Sequence, residues 1–184
     1  SPFTYTWSPA GGVNGDTINI LAGTYNVTVT DANACTKTAS ATVTQPALLA
    51  ITVDSVTHVT CNGLSNGAVY TTATGGTSPF TYTWSPAGGL YDDTVNIVAA
   101  TYNVTVTDAN GCTVTATATV TQPAALVNTV DSVTHVTCNG LSNGAVYTTR
   151  TGGTSPFTYT WSPAGGLDDD TVNIAAATYN VTVT

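Results

Sequence analysis

Residues 101–121 read Thr101-Tyr-Asn-Val-Thr-Val-Thr-Asp-Ala-Asn-Gly-Cys-Thr-Val-Thr-Ala-Thr-Ala-Thr-Val-Thr121. Tyr102, Val104 and Val106 fall on one side of a two-residue alternation. After a break, Cys112, Val114, Ala116, Ala118 and Val120 do the same, and each outward residue of that second segment is Thr. Alternation with period two marks a half-buried strand. Asp108-Ala-Asn-Gly111 between the segments ends on Asn-Gly, which accepts the positive φ of a tight reversal. The stretch is predicted to be an antiparallel hairpin with a Thr-covered outer face.

The hairpin recurs. Trp7, Trp84 and Trp161 are 77 residues apart, as are Tyr25, Tyr102 and Tyr179, Cys35 and Cys112, and Cys61 and Cys138. A fixed period is the first thing a fold assignment must satisfy. Gln45-Pro46 and Gln122-Pro123 punctuate it, giving the tail of one repeat at 1–46, a complete repeat at 47–123 and the start of another at 124–184. Between 47–107 and 124–184 six positions differ: 48/125, 50/127, 51/128, 73/150, 91/168 and 98/175. The expectation is a slice of a longer array, or a subunit whose partial repeats neighbours complete. Within the complete repeat, six strands are predicted: Ala50–Cys61, Ala68–Thr74, Phe80–Trp84, Thr94–Val98, Thr101–Thr107 and Cys112–Thr121. Short strands at such spacing form a sandwich.

Composition agrees. Thr makes up roughly a fifth of the 184 residues, and β-branched residues favour sheets. Glu and Met are absent, and charged residues are 7% of the chain against a usual quarter. The class is all-β. Two Lys and Arg against ten acidic residues give a net charge of −8, which excludes nucleic acid and anionic membrane surfaces as partners. No apolar run reaches the ~18 residues of a membrane span. The chain opens Ser-Pro-Phe, so any targeting segment is expected to lie outside these residues.

Three further stretches carry a family resemblance: Cys61-Asn-Gly-Leu-Ser-Asn-Gly67, Gly75-Gly-Thr-Ser-Pro-Phe-Thr-Tyr-Thr-Trp84, and Ala100-Thr-Tyr-Asn-Val-Thr-Val-Thr-Asp-Ala-Asn-Gly-Cys112, closed by Thr121-Gln-Pro123. Together they resemble the SprB-type repeat of large surface adhesins and gliding-motility proteins of Bacteroidota, whose modules are immunoglobulin-like. The resemblance implies tandem immunoglobulin-like sandwiches with the 77-residue period, at the cell surface or secreted. The glycine before Thr-Tyr is kept at Gly23 but is Ala100 and Ala177 elsewhere, and Ala34 replaces the turn glycine seen at Gly111.

Four cysteines, two per period, suit an extracellular setting. Six strands joined by five reversals would bring Cys61 and Cys112 to one end of the sandwich, so the preferred pair is Cys61–Cys112, with Cys35 and Cys138 bonded outside the chain. Pairing between repeats, Cys35–Cys61 with Cys112–Cys138, and buried free thiols remain alternatives. Seven strands would reverse the parity.

Candidate chemistry is sparse. His58 and His135 sit in Val-Thr-His-Val-Thr with no second ligand nearby, so no metal is expected. Asp92-Asp93 and Asp168-Asp169-Asp170 read as solvated acidic turns, because the first copy, Asn14-Gly15-Asp16, is acidic at one position only. Lys37 and Arg150 replace Val114 and Ala73 in single repeats. Gly75-Gly76 opens no helix and is no phosphate cradle. No catalytic constellation assembles, and neither enzyme activity nor a cofactor is expected. Thr17, Ser55, Thr94, Ser132 and Thr171 each follow Asp and precede an aliphatic residue, resembling the O-glycosylation acceptor used in Bacteroidota. Asn26, Asn103 and Asn180 fit the N-linked sequon but fall inside a strand pattern.

The function expected is a structural array forming an extracellular filament or adhesin stalk, glycosylated, whose partners are identical repeats along a fibre and covalent glycans. The alternative is a carbohydrate- or surface-binding module using Trp84, Tyr82 and Tyr70 as stacking platforms. A third reading is ice binding through outward rows such as Thr113, Thr115, Thr117 and Thr119.

Overall fold

The computed structural model describes residues 3–10, 19–87, 91–166 and 168–184. Its elements are fourteen strands among the described residues. Contacts divide the chain into two units, Ser1–Leu48 with Gly75–Thr77, and Leu49–Thr74 with Ser78–Thr184. In the first unit, β1 (Thr4–Ser8), β2 (Gly23–Thr30) and β3 (Thr36–Val43) form one antiparallel sheet in that order. Cross-strand Thr pairs decorate it, with Thr24 and Thr28 hydroxyls 3.1 Å from those of Thr42 and Thr38.

The second unit holds all six strands of the complete repeat and the repeat after it. In the complete repeat, β4 (Ala50–Thr57), β5 (Gly67–Thr74) and β7 (Thr94–Ile97) make one sheet, ordered β4-β5-β7. Strands β6 (Thr81–Ser85), β8 (Ala100–Thr107) and β9 (Thr113–Val120) make the other, ordered β6-β8-β9. All six predicted strands are present. The first-plus-second-plus-fourth and third-plus-fifth-plus-sixth division is the immunoglobulin arrangement with its fourth strand omitted. Alternation buries one face of each sheet. Val69, Val104, Val106, Val120, Tyr102, Trp84 and Ile97 form the core, while Thr113, Thr115, Thr117 and Thr119 are exposed. A bulge between Val53 and Ser55 leaves Asp54 unpaired in the ladder. Its carboxylate accepts the Thr52 and Thr72 hydroxyls at 3.0 and 2.6 Å.

One connection breaks the expected parity. Strand β7 pairs antiparallel with β5, and β6 pairs antiparallel with β8. Since β5 and β8 both run back toward the end where the repeat begins, β6 and β7 run the same way. The link between them crosses from one sheet to the other and returns without a strand among its described residues. Four reversals and one crossover, not five reversals, put the repeat's entry and exit at opposite poles.

In the following repeat, β10 (Val127–Thr134), β11 (Gly144–Thr151) and β13 (Thr171–Ile174) repeat the first sheet, bulge included, and β12 (Tyr159–Ser162) pairs with β14 (Asn180–Val183). A cavity of about 160 Å³ lies between Val133, His135, Ala145, Ile174 and Tyr179. Gly144, which also lines it, is the copy of Gly67, against which Val120 of β9 lies in the complete repeat.

Candidate functional site: the joint at the end of a repeat

The exit pole is built by Cys61-Asn-Gly-Leu-Ser-Asn-Gly67 and Gln122-Pro123. The Thr60 amide donates to Asn66 Oδ1 at 3.1 Å, and Asn66 Nδ2 donates to Thr60 Oγ1 at 2.6 Å, closing the loop on itself. Gly63 takes φ +81°, and its amide donates to Gln122 Oε1 at 2.9 Å. Asn62 Nδ2 donates to the Pro123 carbonyl at 3.1 Å. Further back, the Val59 amide donates to the Thr121 carbonyl at 2.9 Å, and the Thr121 amide to His58 Nδ1 at 3.1 Å. The Gln-Pro punctuation and the Cys-Asn-Gly motif are therefore two halves of one clasp. His58 finishes the strand pairing, and no group of three or more potential metal ligands occurs among the described residues.

Pro123 hands the chain to the next repeat. There Gly153 donates to the Ala124 carbonyl at 2.9 Å, and Gly152 takes φ +71° so closely against Ala125 that a Cβ would meet its carbonyl oxygen at 2.0 Å. Only glycine permits both. A cavity of about 400 Å³ sits at the joint, lined among others by Cys61, Asn62, Pro123, Leu126, Phe157 and Thr184.

At the other pole, Asp108 organises the hairpin turn. Its amide donates to the Cys112 carbonyl at 2.9 Å, and its Oδ1 accepts the amides of Asn110 and Cys112 at 2.9 Å each. Gly111 takes φ +82°; in the first repeat Ala34 is held at φ +64° by the same contacts from Asp31.

The preferred disulfide is corrected by this geometry. Cys61 lies beside Gln122-Pro123, past the end of β9, and Cys112 precedes its start. An eight-residue strand spans roughly 26 Å, whereas a disulfide needs Cα atoms within about 7 Å. Cys112 and Cys138 are no better placed, since Cys138 comes after β10 at the far end of the next repeat. All four cysteines are exposed thiols, Cys35, Cys61, Cys112 and Cys138 alike, so burial as free thiols is excluded too. The crossover between β6 and β7 is what separates Cys61 from Cys112.

Two acceptor candidates are also corrected. Thr94 and Thr171 are each 1% exposed at the centre of the sandwich, so their hydroxyls are closed to any transferase. Ser55 and Ser132 are exposed, each beside a bulge; Thr17 lies outside the described residues. Asn26, Asn103 and Asn180 are exposed on the outer face, and Asn103 Oδ1 accepts the Thr117 hydroxyl at 2.7 Å. Trp84 and Trp161 are 5% and 6% exposed, and their indole N–H groups donate to the carbonyls of Tyr91 and Asp168 at 2.9 Å. They are core residues that pin the crossover and offer no sugar platform. The acidic turns are structural as well. Asp93 and Asp170 accept the Thr71 and Thr148 amides at 3.0 and 2.9 Å.

A repeated immunoglobulin-like sandwich that begins at one pole and ends at the other defines a tandem module. The family model described as SprB repeat matches residues 53–89 and 130–166, the same part of two successive periods. The two matches start 77 residues apart, as the period requires. No curated protein matches it.

Proposed function

We propose that the chain is part of a tandem array that serves as an extracellular filament or adhesin stalk. The observation that carries this reading is the opposite placement of entry and exit in the complete repeat, with the exit clasped by Gln122 and Pro123 directly against the next repeat. Such a module transmits length from one copy to the next. The SprB match supports a cell-surface location, since repeats of this kind belong to surface proteins. The side chains of Asn62, Asn66, Asp93, Asp108 and Gln122 are engaged in capping and turns, which supports a mechanical role over a catalytic one. Trp burial supports it over sugar binding. Ser55 and Ser132 are the acceptors left for O-linked glycan, and Asn26, Asn103 and Asn180 for N-linked.

Immunogold labelling of intact producing cells with an antibody raised against residues 47–123 tests the reading. Threads outside the cell, with gold at a regular axial step, are expected. Label confined to the cell interior overturns it. Intact mass of the secreted protein decides glycosylation: a mass equal to that of the bare polypeptide removes the glycan from the proposal.

A further inference from the structure

We propose that the two cysteines of a repeat are bonded to different neighbours: Cys61 to the cysteine that occupies the Cys112 position in the next repeat along the chain, and Cys112 to the Cys61 position of the repeat before. Such bonds depend on end-to-end repeats, not on the use to which the array is put.

Three observations place the pair. First, Cys61 is an exposed thiol in the wall of the joint cavity, in company with Leu126 and Thr184. Second, the complete repeat displays the residues that come after the Thr184 position in the period. Thr184 is the copy of Thr107, and Thr107 leads into the Asp108 turn that holds Cys112 against Asp108 by two hydrogen bonds of 2.9 Å. The copy of Cys112 therefore lies one residue beyond Thr184 and one strand spacing, about 4.8 Å, to the side. Third, the side is known. At its far end β9 runs along the β4 segment, where Val59 donates to Thr121, and both strands run toward the exit pole. The copy of β9 therefore belongs on the β10 side of β14, and Leu126, just before β10, lines the same cavity as Cys61. By the same period Cys35 takes the Cys112 role and Cys138 the Cys61 role, so no two of the four cysteines in this chain are partners. A bond of this kind would join each repeat to the next and leave each sandwich unbridged within itself.

Formation removes one proton and one electron from each thiol. A disulfide oxidant such as oxidised glutathione accepts the pair of electrons and both protons, passing through a mixed disulfide and leaving as two molecules of the reduced thiol.

The test uses the 184-residue chain and the same chain extended by a copy of residues 108–123. Both are equilibrated with oxidised and reduced glutathione and assayed by thiol titration and non-reducing peptide mapping. The unextended chain is expected to keep its four thiols. In the extended chain two of five are expected to disappear, with Cys61 recovered joined to the appended cysteine. The bond should persist in a Cys112→Ser background, which makes the peptide assignment unique, and vanish in Cys61→Ser. Far-UV circular dichroism and tryptophan emission confirm that each variant is folded. A Cys61–Cys112 or Cys112–Cys138 peptide overturns the proposal, and so does a folded extended chain whose five thiols all survive. Because two complete repeats joined end to end suffice, failure here leaves the filament reading standing, and failure of the labelling experiment leaves this bond standing.

Discussion

Replacing Thr94 by Val should make the protein more stable. Thr94 is 1% exposed, lies in the four-residue strand β7, and is paired in register with Val69, itself fully buried. Its Oγ1 finds no hydrogen-bond partner among the described residues, and the same holds for Thr171 in the next repeat. A buried hydroxyl without a partner forfeits its hydration, a cost of roughly 1–3 kcal/mol. Valine has the same branched shape and keeps the stiff χ1, so the cavity is refilled without strain. The expected gain is about 1–2 kcal/mol. With an m-value of about 1 kcal/mol/M for a domain this small, the urea midpoint should rise by about 1–2 M. Tryptophan emission is the natural probe, because Trp84 sits in the same core. Thr171→Val should act likewise in its own repeat. A loss of 1 kcal/mol or more in either variant would show that the hydroxyl is satisfied in solution and refute the reasoning. Intact mass adds a second check: Thr94→Val should alter the secreted protein by the substitution alone, since a hydroxyl enclosed in the core carries no sugar.

Gly152→Ala forces a Cβ against the Ala125 carbonyl oxygen at 2.0 Å in a left-handed backbone, and should cost roughly 2–4 kcal/mol, read as an early loss of the Trp161 emission signal on urea titration. Ala34→Gly should stabilise the β2–β3 hairpin by about 1 kcal/mol and Gly111→Ala should weaken the β8–β9 hairpin by a similar amount, because both positions hold positive φ and no atom lies within 4 Å of a Cβ at Gly111; amide exchange at the flanking strands measures both. The Tyr82 phenol is raised above its ordinary value, first by desolvation and then by the Asp92 and Asp93 carboxylates. A raised folded-state value means the neutral phenol is favoured by the fold, so its contribution is complete below about pH 10 and is lost as pH climbs through the folded value. Tyr82→Phe should accordingly flatten the alkaline arm of a stability-versus-pH curve, and an unchanged arm would remove Tyr82 from that role.

Strand positions are legible in the sequence because alternation is a local property. Thr113 to Val120 carries its inner and outer faces in the order of its residues, and neighbours do not alter that. Polar anchors are less legible. Nothing in Asp-Asp-Thr distinguishes a solvated turn from one in which Asp93 caps the Thr71 amide, since the partner is 22 residues away. The Thr94 hydroxyl shows the same difficulty: an Asp-Thr-Val triplet looks like surface until β7 is seen to lie against β5 on the inner face. Pairing of the cysteines is hidden for a topological reason. Counting strands presumes that each link reverses direction, and the link after Ser85 does not. The one visible sign is that Pro86 to Asp93 contains no run of alternation to make a returning strand.

The two copies differ in ways that also point to the poles. The stretch from Asp54 to Thr72 is repeated without change at 131–149, clasp and loop included. Four of the six differences fall at the opposite pole, at 48/125, 50/127, 51/128 and 73/150. Two of these are one event. Ile51 faces Ala73 across β4 and β5, and Asn128 faces Arg150 across β10 and β11. In the complete repeat Ile51, Ala73 and Phe80 are partly buried against the core. In the next repeat the Arg150 guanidinium lies 4.2 Å above the Phe157 ring, so a cation lies on the ring where the complete repeat has an alanine at the matching position. The exchange is not free, because Asn128 Oδ1 and Arg150 Nε are left without partners among the described residues. A polar pair tolerated there, in a chain otherwise copied almost residue for residue, indicates that the entry pole is where one repeat can differ from the next while the exit clasp, which every neighbour must fit, stays constant.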